Sequence, residues 1–218
     1  GVSGNGQREL AEAINGLRKV ESGQIIFNGK DITNTTAAHV IEEGMGYIPE
    51  ERNTEGIVPS FSMKENFILK DSANKKFNSS LFLKKSAIED HARRLREDFD
   101  IRSPHIEVAA GSLSGGNIQK VILARELSRS PMFLVAVYPT RGLDMGAAEF
   151  IHKQLLQKRS EGVGILLISE ELEEITNLSD QVAVIFKGKI QQVLPKNDAS
   201  RRRLGILMAG VKEDDKTF

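Results

Sequence analysis

Apolar residues recur at two periods along this chain, and segments of the two kinds alternate. Leu10, Ile14 and Leu17 fall three and four residues apart behind a glycine-rich opening, which predicts a short helix ending near Gly16. Gln24 to Phe27 reads as a strand, with Asn28-Gly29 as a tight hairpin turn after it. Thr35 is placed to cap a short helix running to Glu43, and Gly46-Tyr47-Ile48 begins another strand. From 57 to 111 the pattern turns helical with polar connections; Asn, Lys and Ser crowd 74–85, and 88–99 is a heavily charged helix. Beyond it come helix 118–128, strand 132–137, helix 147–161, strand 165–169, helix 172–178 and strand 181–186. A Lys187-Gly188-Lys189 turn, strand 190–194, a last helix over 199–208 and a polar tail over 212–218 complete the chain. Strands alternating with helices predict a parallel sheet with crossover connections. The main sheet is expected to carry the strands near Met45, Met132, Ile165 and Gln181.

Composition narrows the partners. At 218 residues the chain suits one large α/β domain or a main domain with a subdomain, and it needs no disulfides to bury a core. It has no cysteine, which removes thiol nucleophiles and cysteine-bound zinc. Thirty basic residues balance thirty acidic ones, whereas a domain that lives on a phosphate backbone should be clearly basic, so nucleic acid is not an expected partner. No apolar run approaches the roughly 20 residues of a membrane span. The opening Gly1-Val2-Ser3-Gly4 is loop sequence with no strand before it, and reads as the start of a fragment.

Two glycine-rich motifs carry the candidate chemistry. Gly1-Val2-Ser3-Gly4-Asn5-Gly6-Gln7-Arg8 follows the glycine spacing of a phosphate-binding loop, in which backbone amides and a helix N-terminus cradle phosphate oxygens. Gln7 stands where that pattern has lysine and Arg8 where it has Ser or Thr; taken alone, such a stretch can also be a plain turn. The second motif, Leu113-Ser114-Gly115-Gly116-Asn117-Ile118-Gln119-Lys120, precedes a helix, and could be a phosphate contact or an ordinary loop with an N-cap. After that helix an apolar strand ends in Tyr138-Pro139-Thr140-Arg141-Gly142-Leu143-Asp144.

LSGGN-x-QK, an apolar strand and then PTRGLD closely resemble the ABC-transporter ATPases, whose signature motif is LSGGQ. The order of the remaining parts agrees: glycine loop, Gly46-Tyr47-Ile48-Pro49-Glu50 at the Q-loop, helical segment, signature, Walker B strand, D-loop and switch region. GNGQREL, Ile48-Pro49-Glu50-Glu51-Arg52, PTRGLD and the ending Leu207-Met208-Ala209-Gly210 resemble the second half of the tandem ATPase subunit of simple-sugar and nucleoside importers. The implied fold is a P-loop NTPase core with a mainly parallel sheet, an antiparallel β portion and an inserted helical subdomain. On that pattern residues 1–56 and 117–210 form the core, 57–116 the signature subdomain and 211–218 a tail.

The resemblance also implies that two such domains clamp ATP head to tail, each site joining the P-loop and Walker B strand of one to the signature of the other. This chain's own site departs from that pattern. Arg8 and Val137 stand at the two magnesium-ligating positions, Tyr138 at the catalytic glutamate, Glu50 at the Q-loop glutamine and Glu170 at the switch histidine. An intact set with its metal carries one net positive charge, whereas Arg8, Glu50 and Glu170 without metal carry one negative. No metal is therefore expected here, and ATP is expected to bind weakly or not at all through Gly1, Gly4, Asn5, Gly6, Gln7 and Arg8. Leu113, Ser114, Gly115, Gly116 and Asn117 are expected to complete a partner's site, which holds the magnesium, with Asp144 in the D-loop. The partners implied are an N-terminal ATP-binding half of the same subunit or a second copy, and transmembrane permease subunits, at the cytoplasmic face of the membrane. A self-sufficient ATPase homodimer and a non-transport ABC protein remain alternatives. Bland readings cover the rest: Glu171, Glu173 and Glu174 as an acidic first helical turn, Arg201-Arg202-Arg203 as a solvated face, and the four histidines as packing or surface residues.

Overall fold

The computed structural model describes residues 1–79 and 82–211. In chain order its elements are α1 (Gln7–Ile14), β1 (Ile26–Phe27), β2 (Lys30–Asp31), α2 (Ala37–Glu42), β3 (Met45–Ile48), α3 (Met63–Phe67), α4 (Lys85–Asp98) and α5 (Gly115–Ser128). Then follow β4 (Phe133–Val137), α6 (Met145–Ser160), β5 (Gly164–Ile168), α7 (Leu172–Leu178), β6 (Gln181–Phe186), β7 (Lys189–Pro195) and α8 (Arg201–Met208). They fall into two compact units, one of residues 1–42 with 166–218, the other of 43–165. The expected tail over 212–218 lies outside the described residues, as do Ser80 and Leu81 of the polar stretch.

In the second unit β3 and β4 pair in parallel, Met45 opposite Phe133 through Ile48 opposite Ala136, within a sheet ordered β3-β4-β5. Both strands are apolar runs, as parallel strands covered on both faces require, and Leu134, Val135, Ala136 and Val137 are buried. Helix α5 packs on β3, α3, α4 and α6 and is buried without a break from Ile118 to Leu127. A helix enclosed all round has no solvent face, so its polar residues must find partners inside. Glu126, 1 % exposed, accepts from the Tyr47 N–H (3.1 Å), Lys70 Nζ (2.6 Å) and Arg125 Nε (3.0 Å). Lys120 donates to the Asp100 carbonyl and lies 4.5 Å over the Phe150 ring. Burial pushes the Glu126 carboxyl up, but Lys70 and Arg125 outweigh it and hold the group below its ordinary range.

In the first unit β1 and β2 form a short hairpin through Asn28-Gly29, whose φ angles of 49° and 77° are the pair that the expected turn needs. α2 is capped from Thr36, whose Oγ1 takes the His39 N–H; Thr35, the expected cap, instead donates its hydroxyl to the Ile32 carbonyl. β6 departs from expectation more deeply: it does not join the parallel sheet but pairs antiparallel with β7, Gln181 opposite Pro195 through Phe186 opposite Lys189. The two-residue turn at Lys187 (φ 46°) and Gly188 (φ 74°) folds β7 straight back along β6. Val182, Val184 and Leu194 of this hairpin bury themselves with Leu204 and Leu207 of α8. α8 starts at Arg201 under a Ser200 cap, and α6 at Met145 under an Asp144 cap, each two residues from the expected start.

Candidate functional site

The glycine loop lies in the first unit. Gly4 and Gly6 adopt φ of 84° and 105°, open to glycine and costly for other residues. Asn5 between them is pinned by three bonds. Its carbonyl accepts the Gly188 N–H and its Oδ1 the Lys187 N–H, both at 2.9 Å, and its Nδ2 donates to the Val2 carbonyl at 2.8 Å. Gln7, 5 % exposed, folds back over this loop. Its Oε1 accepts the Asn5 N–H (2.9 Å) and its Nε2 donates to the Val2 carbonyl (2.8 Å). One amide of the cradle is therefore bonded to the chain's own side chain, a bond that a lysine ammonium, which has no acceptor, cannot make. Arg8 turns along the helix instead. Its Nε holds Glu12 at 2.8 Å while Arg18 takes the other oxygen at 2.7 Å, and the hydrogen bond from Arg8 is the main influence lowering the Glu12 carboxyl. Glu170 is exposed, beside a buried Ser169 whose hydroxyl accepts the Glu171 N–H.

The Q-loop, signature, Walker B and D-loop motifs lie in the second unit. β3 and β4 run side by side, so the residues after them, Glu50 and Tyr138, emerge at one carboxyl edge of the sheet. Val137 and Tyr138 are buried at 1 % and 6 % exposure. Tyr138 sits at φ 46°, a left-handed conformation that costs a side-chain-bearing residue about 1–2 kcal/mol. Its ring lies 5.4 Å beneath the Arg141 guanidinium, and Arg141 Nη1 donates to Glu50 Oε1 at 2.7 Å. Glu50 is paired with Arg141 and Arg8 with Glu12, so neither stands as an isolated charge, and including both partners leaves the net negative charge of the set unchanged. Arg8 and Val137 offer no oxygen to a divalent cation, and among the described residues no group of three His, Asp or Glu side chains could hold one.

The signature opens α5. Ser114 is the N-cap residue, exposed, and its Oγ accepts from Asn117 Nδ2 at 2.9 Å rather than capping the helix. Asn117 is fixed in turn by the Arg102 N–H at 2.8 Å on its Oδ1. With the oxygen accepting, the Ser114 hydroxyl hydrogen is left to donate elsewhere. The two glycines differ. A Cβ on Gly116 would come within 3.1 Å of the Ala147 Cβ, so with that carbon present α5 and α6 would have to give by a few tenths of an ångström. A Cβ on Gly115 would meet only Arg52 Nη1, at an ordinary 3.5 Å. Packing within the chain therefore accounts for Gly116 and not for Gly115. Asp144 caps α6 by accepting the Ala147 N–H at 2.9 Å, next to Gly116. Leu113 is half-buried just before the cap.

Arg52 had no assigned role from the sequence, and the geometry gives it one. It begins a wide turn, 52–56, closed by a bond from the Gly56 N–H back to the Glu51 carbonyl, a five-residue step often found at functional sites. Its Nη2 donates to the Arg141 carbonyl, close to Gly142, and its Nη1 flanks Gly115. Among the described residues it forms no ion pair, and burial, partly countered by Glu51, pulls its pKa down. The available signal was an arginine after two acidic residues at the end of a strand.

Comparison with known proteins bears on the family and the fold. The family model described as ABC transporter matches residues 1–140. The guanosine import ATP-binding protein NupO of Bacillus subtilis (strain 168) is 47% identical over 210 residues, covering 96% of this chain and 41% of NupO. The nucleoside import ATP-binding protein NupA of Lactococcus lactis subsp. cremoris (strain MG1363) is likewise 47% identical over 96% of the chain and 42% of its own length. The ribose import ATP-binding protein RbsA of Lactococcus lactis subsp. lactis (strain IL1403) is 38% identical over 96% of the chain and 42% of its own length. The chain thus spans about two fifths of the length of these relatives. Among solved structures, a nucleotide-free ATP-binding cassette from an ABC transporter superimposes with a TM-score of 0.77 at 22% identity, over 97% of this chain and 85% of that one. The dimeric structure of MJ0796, a bacterial ABC transporter cassette, gives 0.74 at 18% identity, over 89% and 82%. At these identities the structural likeness speaks for the fold.

Proposed function

The chain belongs to the ABC transporter family, and from that premise we propose that it is the ATP-binding half of a sugar or nucleoside importer that supplies its signature to a partner's ATP site while its own site is silent. The observation that carries this reading is the contrast between a glycine loop closed by Gln7 and a signature serine and glycine left exposed. The Ser114 hydroxyl and the amides of Gly115 and Gly116, which as the first of α5 have no acceptor within the helix, are suited to stabilise charge on a terminal phosphate held by the partner. The chain's own site lacks a magnesium ligand at Arg8 and Val137 and a base at Tyr138, so no hydrolytic step is assigned to it.

The relatives named for guanosine, nucleoside and ribose import support a cargo of that class. No helix among the described residues is long and apolar enough to cross a membrane. The reading accordingly places this domain against separate permease subunits at the cytoplasmic face, with an intact ATP-binding half, in the same subunit or another chain, as its partner. Residues 57–116 would serve as the helical subdomain that presents the signature.

The test is steady-state ATP hydrolysis by the reconstituted transporter. Gly115→Asp puts a carboxylate where the phosphate must approach and should lower turnover by about 10²-fold or more. Glu50→Gln, which keeps an acceptor for Arg141, and Tyr138→Phe or Glu170→Ala should stay within about threefold of wild type, because they remove no transition-state contact. Comparable losses from the two groups would mean that both sites work.

A further inference from the structure

Arg52 is unexplained by packing or by ion pairing, and its two ends reach different motifs. One guanidinium nitrogen bonds the Arg141 carbonyl beside Gly142, at the start of the D-loop; the other lies along Gly115, the first residue of the signature helix. Its backbone is set by the wide turn 52–56, and a Cβ on Gly56 would run into Ile122 of α5, so this turn is seated against the signature helix as well. The carbonyl that Arg52 holds belongs to the residue whose side chain pairs with Glu50 and covers Tyr138. Three segments far apart in sequence, 50–56, 114–116 and 138–144, thus meet at one side chain.

We infer that Arg52 is a positioning residue for the partner's ATP site: it fixes the signature start and the D-loop start in one arrangement, so that both are presented together. The inference rests on the reading that the signature acts in a partner's site. A planar guanidinium suits this work because its nitrogens diverge in a fixed fork and can serve two neighbours at once, whereas a lysine ammonium is a point that satisfies one. The partly buried cation forms no ion pair among the described residues, with Glu51 acting on it only at longer range, so it also adds positive charge beside the amides of Gly115 and Gly116, where an anion would be received.

The experiment uses the full-length ATPase subunit assembled with its permease. Arg52→Gln and Arg52→Lys are compared with wild type for kcat, for KM of ATP and for thermal midpoint. Arg52→Gln is expected to lower kcat by about tenfold with KM for ATP nearly unchanged, because misplaced signature and D-loop starts weaken contacts that the partner's site makes in the transition state. Arg52→Lys should fall between the two, and neither variant should shift the midpoint as a core substitution would. Unchanged kcat in Arg52→Gln overturns the inference, and so does a loss matched by a lowered midpoint and a smaller active fraction, which assigns Arg52 to structure alone. Gly115→Asp run in parallel separates the two claims. If it abolishes turnover while Arg52→Gln does not, only the role of Arg52 fails; if it leaves turnover intact, the reading of the signature fails first.

Discussion

The two glycine-rich motifs of this chain receive opposite treatment from their surroundings. In the loop at Gly1–Gly6 the chain bonds one cradle amide to its own Gln7, pins Asn5 with three bonds and draws Arg8 away onto Glu12. At Ser114–Gly116 it does the reverse: the serine oxygen is oriented by Asn117, the hydroxyl hydrogen has no acceptor among the described residues, and Gly115 is exposed with room for a carbon it does not carry. A glycine motif by itself therefore says little about use. What its donors are bonded to tells more, because a bonded donor must be released before it can meet a ligand, at a cost of roughly 0.5–1.5 kcal/mol for each hydrogen bond.

The largest way to disturb the contrast is to attack the support under the signature helix. Glu126→Gln leaves the half-buried Lys70 and the buried Arg125 with a neutral partner, and should cost about 3–5 kcal/mol in a denaturant titration of the domain. The same pair sets an acid limb. Since the folded Glu126 titrates below its unfolded value, its stabilisation is present above the ordinary carboxylate range and disappears as pH falls through the lower folded value. Wild type should therefore lose stability as pH falls below about 4, and Glu126→Gln should show a flatter limb. An unchanged limb would remove Glu126 from the account.

A finer test separates the two signature glycines. Gly116→Ala must push α5 and α6 apart and should destabilise by about 1–3 kcal/mol. Gly115→Ala meets only ordinary contact and should leave stability equal to wild type or raise it by about 0.5–1 kcal/mol through helix propensity. Equal losses at the two positions would show that Gly115 is also a packing glycine. The smallest expected effect lies at the closed loop. Gln7→Lys removes the amide that holds Asn5 and restores a cation, so calorimetry on the domain should show ATP binding about tenfold tighter, the equivalent of one charged hydrogen bond. Turnover should stay at background, since Val137 and Tyr138 remain.

Much of this was legible in the sequence, for local reasons. The Asn28-Gly29 hairpin, the order of helices and strands, and the glycine loop followed by a helix all depend on neighbours within a few residues, and their signals are strong. What escaped depends on distance. The pair between Glu50 and Arg141 joins residues 91 positions apart, and the bond from Arg52 to the Arg141 carbonyl spans 89. Neither could be ranked from sequence above a solvated charge. Gln7 was read as a missing lysine, a loss; that its amide could fold inward and bond the loop required the backbone. β6 reads as a member of the parallel sheet because an apolar strand after a helix usually belongs there; which strand edges meet, and so its pairing with β7 instead, is not stated by the local pattern. The two boundaries differ in opposite directions: α6 starts before its first periodic apolar residue because Asp144 caps it, and α8 starts after Ala199 because Ser200 is its cap.

The buried aromatic ring under Arg141 also decides what light can report about this molecule. The chain has no tryptophan and two tyrosines, Tyr47 and Tyr138, and both stand in the unit of residues 43–165, at or beside adjacent strands of one sheet. Tyrosine fluorescence of the domain therefore comes from that unit alone, while far-ultraviolet circular dichroism samples the helices of both. Recorded together during unfolding, the two signals form an internal optical control: coincident curves mean that the halves melt as one, and an emission change displaced from the dichroism identifies the half that carries the signature as the one that moved.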